Sequence, residues 1–227
     1  MGLPEICASV TMAKDKHHDA TVKTKTITSQ KSSEYAICSA ARKGHLEVVK
    51  LFLDRSANIH VMGDRALCCS AENGHIEVVR ILLERGANIH AERDYALRFA
   101  AEKGHLEVVK LLIDRGADIH AENDYAFSWA SFNGHLEVVR ILLDSGADLH
   151  VDSNSALRIS VNHDHRDVVL LLLARGANLE VGIEEAETSG KGEMAGLLAG
   201  IKCSRKEIGI LSSEVPVPGK ADHRTRM

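Results

Sequence analysis

A repeat of 30 residues constrains this chain of 227 residues more than any other feature of its sequence. The pair Gly-His begins at residue 44 and returns at 74, 104 and 134, and Asp164-His165 continues the series. An alanine keeps the same phase at Ala36, Ala66, Ala96, Ala126 and Ala156, and a Gly-Ala pair does so at 86, 116, 146 and 176. Five units in one phase predict a linear array in which each repeat packs against its neighbours.

Each unit predicts two short helices joined by a turn. In the third unit, Leu106, Val109 and Leu112 recur at helical spacing within a predicted helix over 106–115. Gly104 precedes this helix, where a residue without a β-carbon adopts the left-handed backbone of a tight turn. Before the first helix of four units stands a residue that we predict to be its N-cap: Asp64, Asp94, Asp124 or Asn154. The pattern predicts an all-α fold.

The unit that runs from Gly104-His105-Leu106-Glu107-Val108-Val109 to Gly116-Ala117-Asp118-Ile119 resembles the ankyrin repeat. The resemblance implies an ankyrin-type helix-turn-helix solenoid. It covers residues 34–201, as about five repeats and a degenerate sixth. Short repeats that read Asn-Asp-Tyr-Ala, as at residues 123–126, are similar to those of ankyrin proteins from giant DNA viruses of amoebae.

The spacing departs from the usual ankyrin period of 33 residues. Three residues are missing between Ala121 and Tyr125, where the family carries a β-hairpin finger. We therefore expect shortened inter-repeat loops that form little more than a tight turn. The first helix of each repeat would then provide more of the contact face than in ankyrins of longer period.

Two segments flank the predicted array. Residues 1–33 are polar and out of phase, and we interpret them as a flexible tail or an irregular cap. Residues 202–227 contain Pro216, Pro218 and Gly219 and are predicted to be a basic disordered tail. The surplus of positive charge is two in 1–33 and three in 202–227, so a net charge of −4 leaves −9 on the repeats. The acidic charge of the repeats disfavours nucleic-acid binding. The sequence contains no run of about 18 apolar residues, so it predicts no membrane-spanning helix.

The histidines and cysteines do not predict a metal site, a cofactor or catalysis. Nine histidines form two rows, His45, His75, His105, His135, His165 and His60, His90, His120, His150. Equivalent residues of stacked helices lie about 8–10 Å apart, too far to share a zinc ion. We expect these imidazoles to bond backbone groups of the loops. The five cysteines are odd in number and show no C-x-x-C spacing, which argues against a disulfide framework and fits a reducing compartment. No catalytic motif is present in the sequence.

The remaining hypothesis is a non-catalytic protein-protein interaction module, a monomer in the cytoplasm, or in the host cytoplasm if the chain is viral. The predicted contact residues are Phe132, Tyr125, Tyr95, Arg93, Asn123, Arg65, Glu102 and Lys103. Aromatic and arginine side chains are the usual anchors of interfaces. Two questions stay open. Tyr95 and Tyr125 either contact a partner or pack against the next repeat across the shortened loop, and Phe132 is either an anchor or a lone exposed apolar residue. A second function hypothesis is an adaptor that recruits a ubiquitin ligase or other effector machinery.

Overall fold

The structure, a computed structural model, describes residues 35–55 and 57–207, and every regular element in these two ranges is an α-helix. The helices are α1 (35–42), α2 (Leu46–Asp54), α3 (Arg65–Glu72), α4 (Ile76–Glu84), α5 (Ala91–Glu102), α6 (Leu106–Asp114), α7 (Ala121–Phe132), α8 (Leu136–Asp144), α9 (Val151–Asn162), α10 (Arg166–Ala174), α11 (Leu179–Thr188) and α12 (Gly192–Glu207). The predicted all-α solenoid of helix pairs is confirmed.

The odd-numbered and even-numbered helices form two parallel rows. One leucine or phenylalanine from each first helix is buried in the core, as Leu67, Leu97, Phe127 and Leu157. The second helices contribute Leu82, Leu112, Leu142 and Leu172. First helices of adjacent repeats contact one another more extensively than second helices do. The array therefore bends toward the row of first helices, which lines its concave side.

A left-handed turn replaces the longer loop between repeats. Glu92, Arg93 and Asp94 have φ angles of 51°, 59° and 56°, and the next turn, Glu122 to Asp124, has angles of 53°, 61° and 55°. Left-handed backbone costs an ordinary residue about 1–2 kcal/mol. The turn is as tight as the shortened spacing predicted, and no strand occurs in the described part of the chain.

The aspartates before the first helices do not cap them, so that prediction was wrong. Asp94 is buried, and its Oδ1 accepts from the backbone N–H of Asp118 at 2.8 Å and from His90 Nδ1 at 3.1 Å. Asp64 and Asp124 make the same two contacts in their repeats. The reason is the left-handed backbone of these residues, which turns the carboxylate away from its own helix and toward the loop after the second helix of the same repeat.

The two rows of histidine behave differently. His135 Nε2 donates to the carbonyl oxygen of Glu102 in the preceding repeat at 2.9 Å, and His75, His105 and His165 repeat this contact. Backbone bonding is therefore confirmed for these four histidines of the row, and for His45 it stays a prediction. For His60, His90, His120 and His150 it was wrong, because their Nδ1 atoms bond the side chains of Asp64, Asp94, Asp124 and Asn154. The second row holds the left-handed turns together.

The last helix extends past the predicted boundary at 201. Helix α12 continues to Glu207 because its end is anchored to earlier repeats. Lys202 Nζ lies 2.6 Å from a carboxylate oxygen of Glu180, and Arg205 donates to the carbonyl of Leu173 at 3.4 Å. The tail predicted for residues 1–33, and residues 208–227 of the tail predicted for 202–227, lie outside the described residues.

Candidate interaction face

The first helices α5 and α7 carry a row of rings that continues onto the end of α9. Neighbouring ring centroids are 3.9, 6.0, 5.5, 5.0 and 4.3 Å apart along this row. In order, the residues are Tyr95, Phe99, Tyr125, Trp129, Phe132 and His163. We call these six residues the aromatic stripe. Because it crosses three repeats, it forms one surface that no single repeat contains.

Helical spacing and repeat stacking together produce the stripe. Phe99 follows Tyr95 by four residues and therefore lies on the same face of the helix. Trp129 follows Tyr125 in the same way, one repeat later. Ring pairs at these distances contribute about 0.5–1.5 kcal/mol beyond the area they bury. These ring contacts therefore order the stripe in the absence of a partner, while Trp129 remains 37% exposed.

The two tyrosines of the stripe are anchored to the preceding repeat. Tyr125 donates its hydroxyl to Glu102 Oε2 at 3.2 Å, and Tyr95 donates to Glu72 Oε2 at 3.4 Å. Both rings are half-buried. The hydroxyl of each tyrosine therefore contacts the preceding repeat and not the next one, while its ring keeps some exposure. Contact of these rings with a partner stays a prediction.

Ionisation of Tyr125 should lower the stability of the fold at alkaline pH. Burial, aided by the Glu102 carboxylate, raises the pKa of Tyr125 to about 12, against an ordinary value of 10.0. A raised folded-state pKa means that the contribution to stability is complete below pH 10 and is lost as pH rises toward about 12. The melting temperature of Tyr125→Phe should therefore fall less than that of the wild type between pH 10 and 12.

The matched control for this titration is Tyr35→Phe, since Tyr35 is 63% exposed. Its melts should follow the wild-type pH dependence. If Tyr125→Phe follows it as well, the buried hydroxyl does not contribute in this way.

Arg98 is a functional candidate that the sequence analysis missed. Its guanidinium carbon lies 5.9, 5.8 and 5.1 Å from the ring centroids of Tyr95, Phe99 and Tyr125. The same group donates to the carbonyls of Arg93 and Glu92, both at 2.8 Å. Arg98 thus joins the left-handed turn to the stripe.

Phe99 and Trp129 were also missed, although the sequence contains a signal for both. Each follows a tyrosine by four residues, and the two lie in one phase of the repeat. His163 gave no comparable signal, because its contact with Phe132 depends on how two repeats stack.

Three of the eight predicted contact residues lie in the stripe, and the other five lie outside it. Phe132, Tyr125 and Tyr95 belong to the stripe, and Phe132 is half-buried between Trp129 and His163 rather than isolated. Phe132 is therefore not a lone exposed residue, and its role as an anchor for a partner stays a prediction.

The other predicted residues surround the stripe. Arg93 and Asn123 lie on successive left-handed turns, where Arg93 forms an ion pair with Glu122. Lys103 Nζ is 2.9 Å from Glu102 Oε1 at the end of α5. Arg65, which is exposed, occupies the position of Tyr95 one repeat earlier. Glu102 serves mainly as an acceptor for its neighbours, so we expect less partner contact from it than from the rings.

Three of the four described cysteines pack in the core, and the fourth, Cys203, is exposed. Cys38, Cys68 and Cys69 are buried. Burial raises the pKa of the Cys68 thiol to about 12, which keeps it protonated at neutral pH. Within residues 35–55 and 57–207, no group of three or more His, Cys, Asp or Glu side chains is placed to hold a metal ion.

Comparison with known proteins gives one clear match. A family model described as ankyrin repeats (3 copies) matches residues 6–93 and 95–182, more than half of the chain. No curated protein matches the chain. None of the helices in the described part of the chain is both long enough and apolar enough to cross a membrane.

Proposed function

Because the chain belongs to the ankyrin repeat family, whose repeats are protein-interaction modules, we propose that it is a non-catalytic binding protein whose aromatic stripe contacts the partner. The observation that carries this proposal is the concentration of rings at one surface. The chain has eight aromatic residues, and five of them lie in the stripe. A core that needed these side chains would have buried them, as it buries Phe127.

The physical character of the stripe suits an interface. Aromatic side chains dominate the binding energy of interfaces because they bury large areas through few rotatable bonds. Stacking further restricts Tyr125, Trp129 and Phe132 before binding, so little side-chain entropy remains to be lost.

We further propose that the protein acts as a monomer in the cytoplasm. Cys68, Cys69 and Cys203 form no disulfide within the described residues, which supports a reducing compartment. If the resemblance to viral ankyrin proteins reflects the source, the compartment is the host cytoplasm. The adaptor hypothesis depends on a recruiting segment in residues 208–227, outside the described part of the chain, and nothing in the described residues favours it over simple binding.

Trp129→Ala should weaken binding of the partner at least about tenfold, as expected for a central aromatic anchor. The partner is first isolated by affinity purification from the native cell and identified by mass spectrometry. Its dissociation constant is then measured against the wild type and the variant, with circular dichroism to show that both are folded.

Leu170→Ala is the matched control for this experiment. Leu170 is 41% exposed, close to the 37% of Trp129, but it lies on α10 in the row of second helices. Its substitution should leave binding unchanged. A partner that binds Trp129→Ala as well as the wild type would move the interface away from the stripe.

A further inference from the structure

The third repeat shows how this surface holds a guanidinium group. Arg98 lies over Tyr95 and Phe99 at 5.9 and 5.8 Å, close enough for cation–π attraction. Its Nη2 donates to the carbonyl of Glu92 in the adjacent left-handed turn. Arg98 also lies 5.1 Å from Tyr125 of the fourth repeat, its nearest ring, and its Nε donates to the Arg93 carbonyl. The elements of this guanidinium site that belong to the third repeat are thus two rings and two turn carbonyls.

The fourth repeat reproduces these elements without the arginine. Tyr125 and Trp129 replace Tyr95 and Phe99, 30 residues later. Glu122 has φ 53° and ψ 45°, against 51° and 40° for Glu92, so its carbonyl has the same orientation relative to the helix. At the position of Arg98 stands Ser128, whose side chain is too short to reach over the rings.

The next repeat does not supply the missing group. Arg158 occupies the equivalent position there, but its Nη1 donates to Glu185 Oε2 at 2.7 Å. The position of the third ring, which Tyr125 fills for Arg98, is taken in the fifth repeat by Ser155. Trp129, 37% exposed, is the most exposed of the five Tyr, Phe and Trp residues of the stripe, and short side chains, Ser128 and Ser155, occupy the positions that correspond to Arg98 and its third ring.

We propose that this place binds an arginine side chain of the partner protein, with the guanidinium over Tyr125 and Trp129 and one N–H donated to the Glu122 carbonyl. The proposal rests on the function proposed above and specifies the chemistry of the partner. The net charge of −9 on the repeats favours a cationic segment. Arginine fits better than lysine, because a planar guanidinium stacks on a ring and donates from several edges at once.

A short peptide tests the proposal directly. The probe is acetyl-Gly-Gly-Arg-Gly-Gly-amide, and the controls carry citrulline or lysine in place of arginine. Trp129 is the only tryptophan of the chain, so its fluorescence reports on the proposed place alone. The arginine peptide should bind at least about fivefold more tightly than the citrulline peptide, because citrulline keeps the planar shape but loses the charge and has a carbonyl oxygen in place of one donor nitrogen.

Two variants of the full chain give the decisive comparison. Ser128→Arg should fill the place from within and reduce affinity for the arginine peptide at least about tenfold without lowering the melting temperature. Leu170→Arg is the matched control, because it adds the same side chain on α10 in the row of second helices, away from the stripe, and should leave the affinity for the arginine peptide unchanged. The absence of saturable binding, equal affinity for the citrulline peptide, or unchanged binding by Ser128→Arg would each overturn the proposal.

These outcomes separate the inference from the proposed function. If Trp129→Ala loses the cellular partner while the arginine peptide shows no specific binding, the interaction face stands and the arginine site is wrong. If the peptide binds as expected but the cellular partner ignores Trp129→Ala, the arginine site exists and the partner uses another surface.

Discussion

Gly104→Ala is expected to destabilise the array by about 3 kcal/mol. Gly104 has a φ of +77°, and a β-carbon there would lie 2.6 Å from His135 Nδ1. The left-handed backbone costs alanine about 1–2 kcal/mol. Displacing the imidazole also breaks its bond to the carbonyl of Glu102 and adds a further 1–3 kcal/mol or so. Urea unfolding followed by circular dichroism measures the difference.

Gly116→Ala is the control, because it has the same backbone strain without the clash. Gly116 has a φ of +89°, and a β-carbon there would meet nothing within 4 Å. This variant should lose only about 1–2 kcal/mol, the cost of the left-handed backbone alone. Equal losses for Gly104→Ala and Gly116→Ala would show that the histidine contact carries no weight.

The clash also predicts a strong coupling between Gly104 and His135. In a His135→Ala background, Gly104→Ala should cost no more than Gly116→Ala, since the imidazole is gone. The chain contains a natural version of this double change. Asp164 occupies the glycine position of the fifth repeat with a φ of 59°, and the residue that would face it is Ala195 rather than histidine.

Asp94→Ala is expected to cost about 3 kcal/mol, for a different reason. The carboxylate is 4% exposed and accepts from both the Asp118 N–H and His90 Nδ1. Alanine would leave two donors without their acceptor, and it tolerates the left-handed backbone less well than aspartate does. The free energy of unfolding in urea gives the loss.

Asp94→Asn is the matched control, because the fifth repeat already uses asparagine at this position. Asn154 Oδ1 lies 2.9 Å from His150 Nδ1, which shows that an amide oxygen can serve. We expect a cost of about 1 kcal/mol, the difference between a charged and a neutral acceptor. A loss for Asp94→Ala no greater than that for Asp94→Asn would mean that the carboxylate does not hold the turn.

Much of the fold could be predicted from the sequence, because its repeat has a physical period. The phase of Gly104 and Leu112 predicts helix pairs that cannot bury both faces alone, and the short spacing before Tyr125 predicts a tight turn. The role of Asp94 could not be predicted in this way. An aspartate before a helix is usually a cap, and only the left-handed backbone of the turn sends its carboxylate to Asp118, in the loop after the second helix of the same repeat.

The candidate site, too, could be predicted from the sequence only in part. The sequence alone determined that Tyr95, Tyr125 and Phe132 stand at exceptional positions of the repeat. Only the tertiary structure decided that they join Phe99 and Trp129 in one stripe and that Arg98 covers part of it. The physical reason is that a residue's place within its own helix follows from periodicity, whereas contacts between rings of different repeats depend on the distance and angle at which those repeats pack.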